Sequence, residues 1–482
     1  MLFNSLQFLI FFPLVTSLYF LLPHKYRWLL LLVASCIFYI AFIPVYILIL
    51  AITIIIDYFA GIWIENSEGK RKKMYLVMSI ISTCLVLFIF KYFNFFNDNF
   101  RSIASFLHLN YPIGIINIIL PIGLSFHTFQ SLSYVIEVYR GNQKAEKNFG
   151  IYSLYVMFYP QLVAGPIERP QNLLHQFYEV HYFDYSRVVS GLRLMLWGFF
   201  KKVVIADRLA LVVNQVYNNP TEQNGLTFLI AAYFFAFQIY CDFSGYSDIA
   251  IGSARVIGFD LMQNFRQPYL SSSIKEFWNR WHISLSTWFK DYLYYNLVMP
   301  MRDWGKSAAV ISLFLTFVIS GLWHGANWTF VAWGTLHGLY LVIGVLFFKN
   351  MFQETKPIFK AFQILFIFHL VVFSLIFFRA NNISDAFNII QTIFTQLPKN
   401  IIEYLSGIPV FIGFGRYTLD VITYCFFLII LLYIIDLFIS NSRFDNLFFQ
   451  SKWMRWTIYF LLLYGIIFAG YFGATEFIYF QF

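Results

Sequence analysis

Charged residues are scarce in this 482-residue chain. Asp, Glu, Lys and Arg make up 12% of the sequence, whereas hydrophobic residues make up 60% and aromatic residues 22%. Soluble globular proteins are about one quarter charged, so the composition excludes an ordinary soluble enzyme and a disordered chain. The apolar residues form long continuous runs, unlike the alternating strands of an outer-membrane barrel. The sequence therefore predicts an all-α polytopic membrane protein with about 11–13 transmembrane helices, together with re-entrant or interfacial helices around a polar interior.

Cysteine and the common catalytic motifs are equally sparse. The four cysteines form no CxxC pair and three of them lie inside apolar runs, which favours buried thiols over a disulfide framework or a zinc site. The chain has no Walker A motif, GxGxxG loop, HExxH motif or metal-ligand spacing. We therefore expect no nucleotide hydrolysis, no metal and no bound cofactor.

The net charge of +9 indicates membrane topology and not nucleic-acid binding. Basic residues cluster in short loops at 24–27, 65–73 and 140–147, between apolar runs. Such loops mark the cytoplasmic side of a membrane protein. We expect a multi-pass protein surrounded by lipid, with its N-terminus outside the cytoplasm and with no nucleic-acid partner.

One integral-membrane domain is expected over residues 1–482. Residues 28–64 are too long for one span and suit two, with Pro44 at the turn. Asp57 lies deep in the second of these spans, where it could be catalytic, although pairing with a neighbouring cation is favoured. The expected divisions are N-terminal helices over 1–148, a core over 149–348 with an interfacial helix at 274–295, and C-terminal helices over 349–482.

His324 is the leading candidate for chemistry. It lies near the centre of the segment 307–348, which contains no Asp, Glu, Lys or Arg. An ionisable group at membrane depth is costly and is functional by default. The alternative is a neutral histidine that is hydrogen-bonded between helices, and this pattern alone does not separate the two. For His337, thirteen residues further on, packing is favoured.

The segment 274–295 predicts an amphipathic interfacial helix, since residues 276–295 lack glycine and proline and carry tryptophans at helical spacing. Glu276 and Arg280 form an i,i+4 pair, and His282 and Ser286 share another face. Spacing alone favours an anchor helix with an incidental histidine.

A third cluster, YCDFSGYSD at 240–248, follows an apolar run. Its polar members Asp242, Ser244 and Tyr246 are typical either of a substrate-lining loop or of a polar helix junction. Lys201 and Lys202, with Arg280, are candidates for holding phosphate groups on the ground of charge alone.

Taken together, these motifs resemble the membrane-bound O-acyltransferase family in its bacterial alginate O-acetyltransferase branch. The resemblance extends from the start of the chain to about residue 340, in the family's order. His127 is a departure, because relatives usually carry an aromatic residue there. The matching segments are MLFNS at 1–5, LPIGLS at 120–125, PQLVAGP at 160–166, KKVVIAD at 201–207, YCDFSGYSD at 240–248, EFWNRWHISLS at 276–286 and GLWHGANW at 321–328.

The resemblance implies a helical bundle around a tunnel that crosses the bacterial cytoplasmic (inner) membrane. The family's invariant histidine falls on His324, and its second histidine falls on His282, which overturns the preference for an anchor helix. Both are predicted to be catalytic. The predicted substrate- or donor-binding residues are Asn279, Arg280, Trp281, Asp242, Ser244, Tyr246, Trp323 and Asn327.

The resemblance also implies a reaction. An acetyl group passes from a cytoplasmic thioester, with acetyl-CoA the expected donor, to a hydroxyl of an exported polysaccharide or cell-wall glycan. Transfer is either direct or through a periplasmic or membrane-anchored acetyltransferase partner. The alternative from another class is a polysaccharide transporter or flippase without acyl transfer, which would also need buried ionisable groups.

Overall fold

The computed structural model describes residues 1–116, 121–163, 165–347, 356–406, 419–439, 451–473 and 477–478. Within these ranges the chain forms helices and no β-strand. The predicted all-α fold is confirmed.

Among the described residues, six helical segments are long and apolar enough to cross a membrane, so the chain is a multi-pass membrane protein. Two shorter apolar helices, Leu6–Leu21 and Asp420–Ile435, add to them. The count of about 11–13 spans stays a prediction. The six segments are Tyr46–Glu65, Gly69–Phe106, Gly225–Ile257, Lys306–His324, Trp328–Phe347 and Pro357–Arg379.

The chain folds into two compact units. The first unit contains Met1–Met195 and Tyr246–Gln263, and the second contains Leu196–Gly245 and Asn264–Phe482. The predicted division at residues 148 and 348 stays a prediction.

The first unit contains the N-terminal helices of the chain. Pro44 lies in the turn between the second and third helices, as predicted. Asp57 accepts hydrogen bonds from the hydroxyls of Ser79 (2.6 Å) and Thr83 (3.1 Å), so the expected pairing with a cation is wrong. Its helices are α1 (Leu6–Leu21), α2 (His24–Ile40), α3 (Tyr46–Glu65), α4 (Gly69–Leu87), α5 (Phe93–Phe106), α6 (Leu124–Arg140), α7 (Phe149–Met157), α8 (Pro170–Leu173) and the start of α9 (Tyr185–Phe199).

The second unit carries the candidate segments at 276–286 and 321–328 and residues 240–245 of the third. A π-helical stretch, Phe200–Ala206, follows α9, and another, Phe289–Tyr294, follows α13. Such π segments recur at functional sites. The helices are α10 (Asp207–Tyr217), α11 (Gly225–Ile257, which ends in the first unit), α12 (Ile274–Arg280), α13 (Ile283–Trp288), α14 (Tyr295–Val298), α15 (Lys306–His324), α16 (Trp328–Phe347), α17 (Pro357–Arg379), α18 (Ile383–Leu405), α19 (Leu419–Ile439) and α20 (Lys452–Tyr464).

Two glycines bring α15 and α16 into close contact. A Cβ placed on Gly334 would lie 2.3 Å from the backbone oxygen of Phe317 and 2.9 Å from the Cα of Gly321. Without side chains at the crossing, the two backbones approach as small residues allow in membrane helix pairs. This crossing lies one turn before His324, at the end of α15, and therefore helps to fix its position.

Candidate active site

His324 is the last residue of α15 and is 4% exposed. The chain leaves the helix at Gly325 and enters α16 three residues later. Asn327 begins α16 by accepting a hydrogen bond from the backbone N–H of Thr329 at 3.0 Å, as an asparagine at a helix N-terminus does. The imidazole is therefore held at a tight junction between two apolar helices.

Aromatic rings surround this imidazole. The ring centroids of Trp323 and Trp333 each lie 4.9 Å from that of His324, and the ring of Phe378 lies at 5.3 Å. Trp323 is 5% exposed and its indole lies beside the histidine, where a binding residue was predicted. Water is largely excluded from this position, and electrostatic interactions there are correspondingly strong.

His324 opens onto a small cavity in the second unit. The volume of this cavity that is available to the centre of a water molecule is about 10 Å³, which is close to the minimum for binding one water. Trp281, the residue before His282, lies in the same wall, so the structure brings together parts of two predicted motifs. The lining residues are Ile239, Tyr269, Phe277, Trp281, His324, Trp333, His337, Val371, Leu375 and Phe378.

His337 lines this cavity, but its ring nitrogens are engaged. The indole Nε1 of Trp278 donates to its Nδ1 at 3.3 Å, and its Nε2 lies 2.9 Å from the hydroxyl of Ser374. Since Nδ1 accepts, the neutral ring carries its proton on Nε2 and donates it to Ser374. This arrangement is typical of a packing histidine.

The predicted continuous helix over 274–295 is wrong. It breaks after Arg280, and His282 adopts a left-handed backbone conformation with φ 43° and ψ 55°. His282 and Ser286 therefore do not share a helix face in the way that unbroken helical spacing implied. The break is stabilised from outside the segment, because the backbone N–H of Ile283 donates to the backbone oxygen of Asn264 at 3.0 Å.

His282 is fully buried and points its ring at Phe243, with centroids 4.5 Å apart. Its Nδ1 lies 3.1 Å from Oδ1 of Asn264. Burial lowers the pKa of His282 to about 3, because the charged imidazolium loses its hydration. The imidazole is neutral at every ordinary pH, and a neutral ring has one basic nitrogen.

The short helix α12 carries three of the predicted binding residues at or beside its end. The pair Glu276–Arg280 is confirmed at 2.6 Å. Asn279 is exposed, Arg280 is half-buried and bound to Glu276, and Trp281 is 5% exposed in the cavity wall. Among these three, only Trp281 lies in the wall that also contains His324.

The cluster at 240–248 lies inside α11, so it is neither a loop nor a helix junction. Asp242 binds Nζ of Lys202 at 2.7 Å and accepts the backbone N–H of Ile478 at 2.9 Å. Ser244 accepts from Nζ of Lys201 at 2.9 Å. Tyr246 belongs to the first unit, where its ring packs 4.6 Å from that of Phe3.

The phosphate-binding expectation for these lysines does not fit the geometry. Lys202 is 2% exposed and pairs with two carboxylates, Asp242 and Asp207, the latter at 2.8 Å. Lys201 is 4% exposed. Buried ion pairs of this kind hold helices in register, and a phosphate would have to displace the carboxylates to reach them.

The contacts of three residues could not be predicted from the sequence, although Asp207 belongs to the segment KKVVIAD at 201–207. Asn264 contacts His282 from eighteen residues away, and Asp207 completes the lysine cluster. Trp333 is 4% exposed, and its indole Nε1 has no hydrogen-bond partner among the residues that the structure describes. Spacing cannot reveal such contacts, although the i,i+5 separation of Lys202 and Asp207 suits a π segment.

The chain is similar to known membrane-bound acyltransferases. The sequence model of the MBOAT, membrane-bound O-acyltransferase, family matches residues 147–382, which include both predicted catalytic histidines. The probable alginate O-acetylase AlgI of Pseudomonas syringae pv. tomato is 40% identical over 395 residues, covering 80% of this chain and 74% of that protein.

Two further relatives differ in the acceptor that their names state. The peptidoglycan O-acetyltransferase of Helicobacter pylori is 31% identical, covering 94% of this chain and 91% of that protein. The teichoic acid D-alanyltransferase of Bacillus subtilis is 29% identical, covering 51% of this chain and 62% of that protein. With the all-helical membrane fold and the motifs at 276–286 and 321–328, these matches confirm that the chain is an acyltransferase belonging to the membrane-bound O-acyltransferase family.

Proposed function

We propose that the protein moves an acetyl group from a cytoplasmic thioester, acetyl-CoA, to a hydroxyl of an exported polysaccharide or cell-wall glycan. The observation that carries this proposal is the placement of His324, a buried imidazole beside a cavity walled by aromatic rings, in a segment without any charged side chain. The names of the relatives support acetyl transfer to a glycan.

In the proposed reaction, His324 acts as a general base. It takes the proton of the acceptor hydroxyl as the hydroxyl oxygen attacks the acetyl carbonyl carbon. The carbon–sulfur bond then breaks, and the proton passes from the imidazolium to the thiolate, so that an ester and a free thiol leave. Proton transfer of this kind contributes about 10²–10⁴ in rate.

The carbonyl oxygen gains charge in this step and needs a hydrogen-bond donor. The indole Nε1–H of Trp333 suits this role, because its ring contacts His324 and lines the same cavity, and because none of the described residues accepts its hydrogen bond. A buried donor without a partner requires an explanation. An acetyl group is larger than the one water that the cavity admits, so side chains in the wall must move when substrate enters.

We further propose an orientation in the bacterial inner membrane with the N-terminus on the periplasmic side. The basic loops at 24–27, 65–73 and 140–147 then face the cytoplasm. In this orientation the donor enters from the cytoplasm and the acetyl group leaves on the other side. A periplasmic or membrane-anchored acetyltransferase is the proposed partner where the glycan is not acetylated directly.

The test is turnover of labelled acetyl-CoA by the full chain in lipid nanodiscs, with glycan fragments as acceptor and with a periplasmic fraction added in a parallel reaction. His324→Ala is expected to lose about 10²–10⁴ in rate, and His282→Ala is also expected to be impaired. The matched control is His175→Ala, which removes a histidine whose side chain is 58% exposed.

Three results are decisive. Turnover that needs the periplasmic fraction identifies transfer through a partner. Unchanged turnover in His324→Ala contradicts the assignment of the base. Movement of glycan across the membrane without loss of acetyl-CoA favours the transporter.

A further inference from the structure

Asn264 is a buried amide that joins the two sides of the break at His282. It is 0% exposed. Its Oδ1 lies 3.1 Å from Nδ1 of His282, 2.9 Å from Oγ of Ser284 and 3.2 Å from the backbone nitrogen of Ser284. Its backbone oxygen accepts the N–H of Ile283. One asparagine thus contacts three consecutive residues.

The hydrogen-bonding partners determine which amide atom of Asn264 is the oxygen and which ring nitrogen of His282 carries the hydrogen. A backbone N–H can only donate, so the amide atom that faces Ser284 is the oxygen and not the nitrogen. An amide oxygen can only accept, and the Nδ1 of His282 that faces it must therefore carry a hydrogen. The ring is neutral because of its burial, which leaves Nε2 as its one basic nitrogen.

The same contacts stabilise an unfavourable backbone. His282 is one of the few non-glycine residues with a left-handed backbone in the described part of the chain, and such a conformation persists only where its surroundings enforce it. Asn264 binds the backbone N–H groups of the two residues that follow His282. The N–H of Arg266 donates to the backbone oxygen of Arg280 at 2.9 Å on the other side of the break.

We propose that Asn264 is a positioning residue that fixes His282 as the Nδ1–H tautomer, so that Nε2 is the nitrogen that accepts a hydrogen bond or a proton during acyl transfer. The role of Nε2 in acyl transfer rests on the proposed function, whereas the tautomer of His282 can be measured independently of turnover. The other tautomer would place a hydrogen on Nε2, where a lone pair is needed. Asn264 therefore affects turnover even though it is not in the cavity wall.

The first test measures the tautomer directly. Nitrogen NMR of the full chain in nanodiscs, labelled with ¹⁵N-histidine, is compared with the His282→Gln variant to assign the signals of His282. We expect a protonated Nδ1 and an unprotonated Nε2. A protonated Nε2 in the wild type overturns the proposal, whether or not the protein turns over acetyl-CoA.

The second test uses variants of Asn264. Asn264→Ala removes the acceptor and is expected to lose about 10²-fold in turnover, the scale of a roughly 1 Å misplacement. Asn264→Asp keeps an acceptor and therefore the tautomer, but its negative charge raises the pKa of His282. We expect Asn264→Asp to retain turnover at high pH and to lose it at low pH, where wild type does not.

The matched control is Ser284→Ala, which removes one of the donors to Oδ1 and leaves the contact with Nδ1. It is expected to resemble wild type in turnover and in its pH profile. An Asn264→Asp variant with the wild-type pH profile contradicts the inference. Loss of turnover in Ser284→Ala equal to that in Asn264→Ala also contradicts it, because the effect is then general packing. The proposed function itself fails only if His324→Ala retains turnover or wild type consumes no acetyl-CoA under any condition.

Discussion

Replacing Gly334 with alanine tests whether the crossing of α15 and α16 positions His324. A Cβ at Gly334 would lie 2.3 Å from the backbone oxygen of Phe317 and 2.9 Å from the Cα of Gly321, and Cβ atoms essentially never come closer than 3.0 Å to another heavy atom. Both obstacles are backbone, so no side chain can rotate away. The helices must separate by roughly 1 Å to reach ordinary van der Waals contact.

Overpacking of this kind costs about 1–3 kcal/mol of folding free energy. A displacement of roughly 1 Å at the reacting group costs about 10²-fold in rate. We therefore expect Gly334→Ala to lower both the apparent melting temperature in detergent and the turnover of acetyl-CoA. The two effects have one cause, the separation of α15 from α16.

The control lies in the same helix. A Cβ on Gly344 meets nothing within 4 Å, so Gly344→Ala is expected to be neutral or to stabilise α16 by roughly 0.5–1 kcal/mol. The measurements are thermal aggregation followed by size-exclusion chromatography, and initial rates on the correctly eluting fraction. Equal melting temperatures and rates for the two variants would refute the reasoning.

Three further predictions concern other buried groups. Trp333→Phe keeps an aromatic ring but removes the N–H, and is expected to reduce turnover by about 10²–10³ with little change in KM, as loss of an oxyanion donor does; an unchanged turnover contradicts the role of the indole. Lys202→Met leaves the carboxylates of Asp207 and Asp242 without their cation and is expected to lower the free energy of unfolding by about 3–5 kcal/mol, seen as a lower melting temperature that adding Asp242→Asn partly restores. Burial raises the pKa of Glu168 from 4.5 to about 7, so between these pH values the folded protein holds a proton that the unfolded chain releases. The melting temperature should therefore fall as the pH rises through this range, and Glu168→Gln should remove that part of the fall.

The parts of the fold that follow from local rules could be predicted from sequence. Scarce charge and long apolar runs require helices, because helices satisfy their own backbone hydrogen bonds in lipid. The pairing of Glu276 with Arg280 follows from four-residue spacing, and Ser273 begins α12 by accepting the N–H of Glu276. Each of these depends on residues at most a few positions apart.

The parts of the fold that depend on residues distant in the sequence could not be predicted. Residues 276–295 contain no helix breaker, and the break at His282 is stabilised by contacts with Asn264, eighteen positions earlier. Asp57 was expected to meet a cation and instead meets two hydroxyls on the next helix. The local sequence indicates which groups are buried. Which of these buried groups contact one another depends on tertiary packing.

Three of the histidines in the second unit, His282, His324 and His337, show how the same side chain differs in chemical capacity. His337 donates through Nε2 and accepts through Nδ1, so both nitrogens serve packing and it is a poor candidate for a base despite lining the cavity. His282 commits Nδ1–H to an amide and thereby has its basic nitrogen defined as Nε2. The imidazole of His324 contacts the rings of Trp323, Trp333 and Phe378, which largely exclude water from it. Its position at the end of α15 places it at the break between two helices, where the proposed reaction needs a base.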